Sequence, residues 1–472
     1  MSSANLLSYK SGFEEAMKRI HIDLFPSWEN RTIEKIHINI TIAGFDTGRL
    51  CYCFSGFGCR VPFPEYSELE VFDEHGRLGC VIRDAEDGKS PILSKKITFD
   101  RTPGRDISYG YTIYPRKLPE NYRSSPYYDF RREPQGATGS ALFSLILPDD
   151  DTDKYEVSAR WDLSRLPDGC DGLFTFENNK AMTISELTHS FFIVGLIQRE
   201  ETDDIGYYWL SSPEFDMRSL AKRSVSIFNC LKRYFRDDKA KMKIIIRRDP
   251  FSYSGGGTAG KNSFLSGYSA LGTTDLDEWE NTLVHEMTHS WVHMKGDEGH
   301  HPLTWFNEGA VEYYCVFAPY RHGFWDSSRV LKYINAKTGK QYYYNPFRTT
   351  DEVTRRQIEW KDMNAQYIPY GKGFVYLALV EYKLKKAGLG SIDDVIIPNC
   401  LNKTMTEKLW VDFIKDRLGK EGVSDFNEML NGKLIVPPSD LFGSEFAVRS
   451  ESITLGESEG DAFYWIMRTA DD

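Results

Sequence analysis

Short runs of alternating or β-branched apolar residues dominate the chain from about position 33 to 196. They include 36–42 (IHINITI), 69–72, 108–114 (SYGYTIY), 141–147 and 155–161, each bounded by Gly, Pro, Asp or Asn. A period of two sends alternate side chains to opposite faces. Strands of this length and spacing predict a β-sandwich or a similar all-β module.

The period then changes. Positions 216–235 place Leu220, Val225, Ile227, Phe228, Leu231 and Phe235 mostly three, four or seven residues apart, which predicts an amphipathic helix. A short buried strand follows at 243–247 (KIIIR). The glycine-rich 254–260 (SGGGTAG) reads as a turn where backbones approach closely, ahead of a second strand at 263–271. Beyond Asp277 helices are predicted near 278–294, 302–317, 327–335, 352–360, 372–386 and 405–418. From Val436 onward Pro437, Pro438 and several acidic residues predict irregular packing or a loose tail.

These changes divide the chain into a β-rich module (1–197), a mixed core (198–335), a helical module (336–445) and a tail (446–472). The expected class is multidomain α+β. A length of 472 residues agrees, being beyond the size at which one hydrophobic core keeps growing.

Composition excludes several function classes. A net charge of -11 opposes a general nucleic-acid surface, which needs a concentrated basic face. No run of 18 apolar residues spans a membrane, and MSSANLLSYK lacks the basic and apolar regions of a secretory signal, so a cytoplasmic protein is expected. None of the eight cysteines forms a C-x-x-C pair, and reduced, buried or half-buried thiols are expected; Cys51, Cys53 and Cys59 make the one cluster.

Chemistry concentrates in 283–293 (LVHEMTHSWVH). On a helix His285 and His289 stand one turn apart, so both imidazoles can reach one metal, and the neighbouring Glu286 can hold a water without being a ligand. A third ligand is needed. Glu308, in a second amphipathic pattern with 18 residues between it and His289, is the candidate. Two His and one carboxylate with an open fourth position suit one Zn2+ per chain, with cobalt or manganese as substitutes. His293 reads as a packing or pocket-wall residue rather than a ligand, and His300 and His301 as solvated loop residues. Glu312, one turn after Glu308, either supports the metal site from behind or makes an ordinary ion pair. Tyr370, in 367–374 (YIPYGKGF), stands at a predicted helix start, either as an oxyanion donor or as a buried aromatic.

Three segments together resemble the gluzincin metallopeptidases, the group of aminopeptidase N and leukotriene hydrolase. They are His285-Glu286-Met287-Thr288-His289, Trp305-Phe306-Asn307-Glu308-Gly309 and Tyr370-Gly371-Lys372-Gly373, in family order. The resemblance implies a thermolysin-like core, Tyr370 as the transition-state donor, and hydrolysis of a peptide or peptide-like substrate. Gly256-Gly257-Thr258-Ala259-Gly260 followed by Lys261-Asn262-Ser263 is similar to the glycyl aminopeptidases. The likeness covers roughly 200–440, and the PDZ domain common in that family is expected to be absent.

One departure matters. Where both aminopeptidase families place an amine-binding Glu, this chain has Ala259, and 250–274 contain no acidic residue. An ammonium group would lose a charge-assisted hydrogen bond there. Hydrolysis is expected, but aminopeptidase selectivity is not. Hydrolysis of, or water addition to, a non-peptide metabolite and a non-catalytic binding scaffold remain the alternatives.

Overall fold

The computed structural model describes residues 17–56, 59–60, 69–85, 92–117, 127–150, 152–211, 213–250, 256–272, 275–296, 303–359, 361–456 and 458–469. Its N-terminal part is built on a seven-stranded sheet. Lys18–Glu29 and Thr32–Ala43 form its central hairpin, with Lys154–Trp161 parallel to the first and Asp106–Ile113 antiparallel to the second. The alternation of 36–42 is literal: Ile36, Ile38, Ile40 and Ile42 are buried and the residues between them face outward. Two further sheets complete this part, one of four strands that includes Gly136–Ser140 and Phe191–Gly195. Their inner faces join one hydrophobic core that runs from Ile20 to Val194.

A second core runs from Ile205 to Trp465. It is organised around a five-stranded mixed sheet in the order Gln198–Glu201, Ile205–Trp209, Met242–Asp249, Ser263–Ser269, Gly257–Gly260. The helices are α1 (Ile184–Thr188), α2 (Met217–Tyr234), α3 (Leu276–Thr288), α4 (Thr304–Asn307), α5 (Gly309–Arg321), α6 (Ser327–Thr338), α7 (Glu352–Ile358), α8 (Met363–Ala387), α9 (Asp393–Leu401) and α10 (Glu407–Leu430). Among the described residues no helix is long and apolar enough to cross a membrane.

Several expectations are corrected. The glycine-rich segment is not a turn, since Gly257–Gly260 is an edge strand antiparallel to Ser263–Ser269. Its glycines serve close approach: a Cβ on Gly257 would lie 2.6 Å from Glu286 Oε1, and one on Gly260 2.3 Å from the His189 carbonyl. The run 141–147 is a buried turn that ends in a two-residue strand, with Ser144 N and Leu145 N donating to Ala141 O. Burial on every side, not strand pairing, made that run apolar. The tail is a hairpin of Phe446–Leu455 and Ser458–Met467, which packs Phe446, Phe463 and Trp465 into the second core. Ser254, Gly255, His300 and His301 lie outside the described residues.

A buried ionic clamp joins the two cores. Arg247, in the second sheet, donates to Asp129 Oδ1 at 2.7 Å, to Asp129 O at 2.9 Å and to Thr138 Oγ1 at 2.7 Å, while Arg131 donates to Asp129 Oδ2 at 3.0 Å. All four residues are buried. Burial alone would raise the Asp129 carboxyl, but Arg131 and Arg247 outweigh it and hold the group below its usual range. Its stabilisation is therefore present above the unfolded value of about 3.9 and lost as pH falls through the lower folded value. Asp129→Asn leaves two buried guanidinium groups short of charge, so urea unfolding at neutral pH is expected to show a loss of about 3–5 kcal/mol. A loss under about 1 kcal/mol would mark the clamp as no stronger than a surface pair.

Candidate metal centre

Asp275 caps α3, its side chain accepting from the backbone of Asp277 and Glu278. The helix ends at Thr288 rather than continuing to 294, and His289 is its C-cap, with its N–H still bonded to His285 O. One helical turn is therefore kept between the two histidines. His293, past the end, is exposed and joins no metal-competent group among the described residues.

Glu308 stands at the junction where α4 stops and α5 begins. The predicted single helix is thus two. Tyr370 is not a helix-start residue either: α8 begins seven residues earlier, at Met363. Glycines let these helices meet. A Cβ on Gly309 would lie 2.4 Å from Gly373 Cα, and one on Gly373 2.0 Å from Trp305 O. This backbone-to-backbone contact brings the residues flanking Glu308 and Tyr370 into one place, and the Tyr370 ring lies near-parallel to His285 with centroids 5.8 Å apart.

Three side-chain atoms converge. His285 Nε2 and His289 Nε2 are 3.1 Å apart, and Glu308 Oε2 lies 3.4 Å from the first and 3.5 Å from the second. Ligands at zinc distances of about 2.0–2.1 Å on a tetrahedron are separated by about 3.3 Å, so this triangle has the size of one tetrahedral face. Glu308 Oε2 is buried and forms no hydrogen bond. A buried carboxylate oxygen between two imidazole nitrogens requires positive charge. The donor set therefore fits a divalent cation.

The titration shifts agree. Burial disfavours a charged His285, yet Glu312, Cys315 and Glu308 outweigh that and raise the imidazole well above its ordinary value. Burial would likewise raise Glu308, but His289 and His285 hold it far below the usual carboxylate range. Protons take up the positive charge that the carboxylates demand, where a cation would displace them.

Behind His285, Nδ1 faces Glu312 Oε1 at 3.5 Å. Glu312 is buried, not a surface residue, and Lys337 Nζ reaches the same oxygen at 2.7 Å. Burial raises its carboxyl, but Lys337 and His285 bring it down to about 2. Cys315 Sγ lies 3.5 Å from Glu312 Oε2, its thiol pushed up to about 11 by burial and that carboxylate. Lys337 and Cys315 had no sequence signal as site residues, because nothing in their spacing connects them to His285. A carboxylate at Nδ1 favours the tautomer that aims the Nε2 lone pair at the three-atom centre. Glu312→Gln is expected to weaken zinc binding about 10–100-fold in competition with a chromogenic chelator, all three proposed ligands being retained. Unchanged affinity would reduce Glu312 to a partner of Lys337.

Glu286 is half-buried beside Gly257. Burial raises its carboxyl, with His289 and His285 opposing and Glu308 and Glu312 adding to the rise. The edge strand passes over this part of α3. Thr258 accepts from Tyr127 N at 2.7 Å, so by strand alternation Gly257 and Ala259 share the other face, that of Glu286. Tyr128, from the N-terminal part, is a further wall residue that the sequence did not single out. Burial and the nearby Glu286 charge raise its hydroxyl, and its ring stacks on Phe191.

No protein-family model and no curated protein matches the chain. Solved structures do. An aminopeptidase N family protein from Idiomarina loihiensis is 12% identical and aligns over 92% of this chain and 79% of its own, with a TM-score of 0.67. An M1 zinc metallopeptidase from Deinococcus radiodurans, solved with a Tyr-Ser-Ala substrate, is 14% identical over 89% of this chain and 94% of its own, with a TM-score of 0.51. Native yeast LTA4 hydrolase is 14% identical over 89% of this chain and 69% of its own, also at 0.51. The chain thus has the fold shared by aminopeptidase N family proteins and leukotriene A4 hydrolase.

Proposed function

We propose that this chain is a zinc-dependent hydrolase of an amide bond in a peptide or peptide-like substrate. The observation that carries the reading is the 3.1–3.5 Å triangle of His285, His289 and Glu308, with Glu286 and Tyr370 at its rim. On this reading the chain comprises a β-sandwich-like N-terminal module (1–197), a thermolysin-like core (198–335), a helical module (336–445) and the closing hairpin. Zinc metallopeptidases and a leukotriene A4 hydrolase among the structural neighbours support the hydrolase part of this reading.

His285, His289 and Glu308 would hold one Zn2+, which when bound supplies Lewis acidity and water ionisable near pH 7. Glu286 takes a proton from the attacking water and delivers it to the leaving nitrogen. Tyr370 donates its hydroxyl proton in a hydrogen bond to the carbonyl oxygen as negative charge develops there. Burial, with Glu308 and Glu286 nearby, raises Tyr370 well above its ordinary value, so it stays a donor at neutral pH.

Ala259 shapes selectivity. The described edge strand, Gly257–Gly260, offers no carboxylate to a substrate ammonium group, so the favoured substrate has a blocked or internal amide, or is a non-peptide metabolite. Metal analysis and a substrate panel test this. One zinc per chain and faster cleavage of N-blocked than of free-amine peptides are expected. A folded protein that takes up no zinc removes the reading, preference for free amines removes the selectivity, and turnover of esters or epoxides alone moves the reaction to the non-peptide class.

A further inference from the structure

The chain has 69 acidic residues against 58 Lys and Arg, yet one groove of about 860 Å³ on the N-terminal part reverses that balance. Its described walls carry Lys35, Arg116, Lys117, Arg131, Arg132 and Arg165, and among the described lining residues the carboxylates are Glu29 and Glu34. Internal pairing accounts for half of the cations. Arg132 pairs with Glu34, Arg131 lies 3.0 Å from Asp129, and Arg116 lies 3.7 Å from the same carboxylate. Lys35, Lys117 and Arg165 form no ion pair with a described residue, which leaves three cations facing Glu29.

These three come from separate segments: the Thr32–Ala43 strand, the chain beyond Asp106–Ile113, and the loop after Lys154–Trp161. A solvated face would arise from neighbours in sequence. Here the tertiary fold itself gathers like charges, against their mutual repulsion. The same walls include Trp28, which packs partly on the core, and Tyr114, which is 47% exposed. Guanidinium and ammonium groups bind phosphate oxygens strongly, and exposed aromatic faces accept a planar ring. No lining residue belongs to the metal centre.

We infer that this groove binds a multivalent phosphate-type anion bearing a planar ring, the phosphates lying against Lys35, Lys117 and Arg165 and the ring against Trp28 and Tyr114. Calorimetric titration of the full chain with magnesium ATP and with magnesium triphosphate tests it, beside a Lys117→Glu/Arg165→Glu variant and Tyr114→Ala. Arg131 is kept, since the Asp129 clamp depends on it. Both probes are expected to bind the wild type, more weakly as salt rises, and at least about tenfold more weakly to the double variant. ATP is expected to bind more tightly than triphosphate, with Tyr114→Ala removing the difference. Melting curves control for folding, and chelation of metal would lower the midpoint in wild type and variant alike. Binding of neither probe, or equal binding to the double variant, overturns the site; equal affinity of the two probes overturns the part assigned to the ring.

Discussion

Glu286→Gln is expected to lower kcat about 10²–10⁴-fold while leaving zinc content and melting temperature unchanged. The amide is isosteric with the carboxyl, which matters because space is tight: the Gly257 backbone comes so close that even a methyl group there would lie 2.6 Å from Glu286 Oε1. The variant keeps the packing and loses only the proton acceptor. Burial raises the Glu286 carboxyl above its ordinary value, which favours holding a proton taken from water long enough to pass it on. The acid limb of kcat/KM therefore belongs to this group: activity falls as pH drops through its pKa and Glu286 becomes protonated. In the glutamine variant that limb should vanish from the residual rate. A variant within about tenfold of wild type, zinc bound, would assign the base elsewhere.

Local chemistry made the candidate metal centre legible, and tertiary contacts hid the rest. The four-residue spacing of His285 and His289 survives although α3 stops at Thr288, because the cap residue keeps its hydrogen bond to His285 O. Glu308 was recognisable by its motif, yet the break between α4 and α5 at that residue was not, since the apolar pattern runs through it without interruption. The strand character of Gly257–Gly260 was invisible for a different reason. Glycine is disfavoured in strands, and these are required by helix and chain passing close overhead. In the closing hairpin the exposed Glu451, Glu459 and Asp461 masked the burial of Phe463 and Trp465, two residues apart on one face. Lys337 and Tyr128 come from segments with no motif of their own, and Cys315 follows Glu312 in α5 at a position no motif marks. Sequence periodicity reports which face is buried, not what it is buried against.

Tyr370→Phe is expected to lower kcat by about 10²–10³-fold, with zinc retained and KM little changed. Phenylalanine preserves the ring that lies along His285 and removes only the hydroxyl. The backbone beneath it has no freedom to compensate: a Cβ on Gly371 would sit 2.5 Å from Lys337 O, and Gly373 is already against Gly309 and Trp305. The helix is held in register at the residue carrying the hydroxyl. A donor aimed at a developing oxyanion gains strength only as negative charge accumulates, so its removal shows in kcat, whereas a group binding the ground-state substrate would show in KM. A packing role predicts neither change, since the variant packs as the wild type does. Wild-type kcat in Tyr370→Phe would leave the oxyanion to another donor; Tyr128, whose hydroxyl is also kept protonated beside Glu286, is then the residue to replace next.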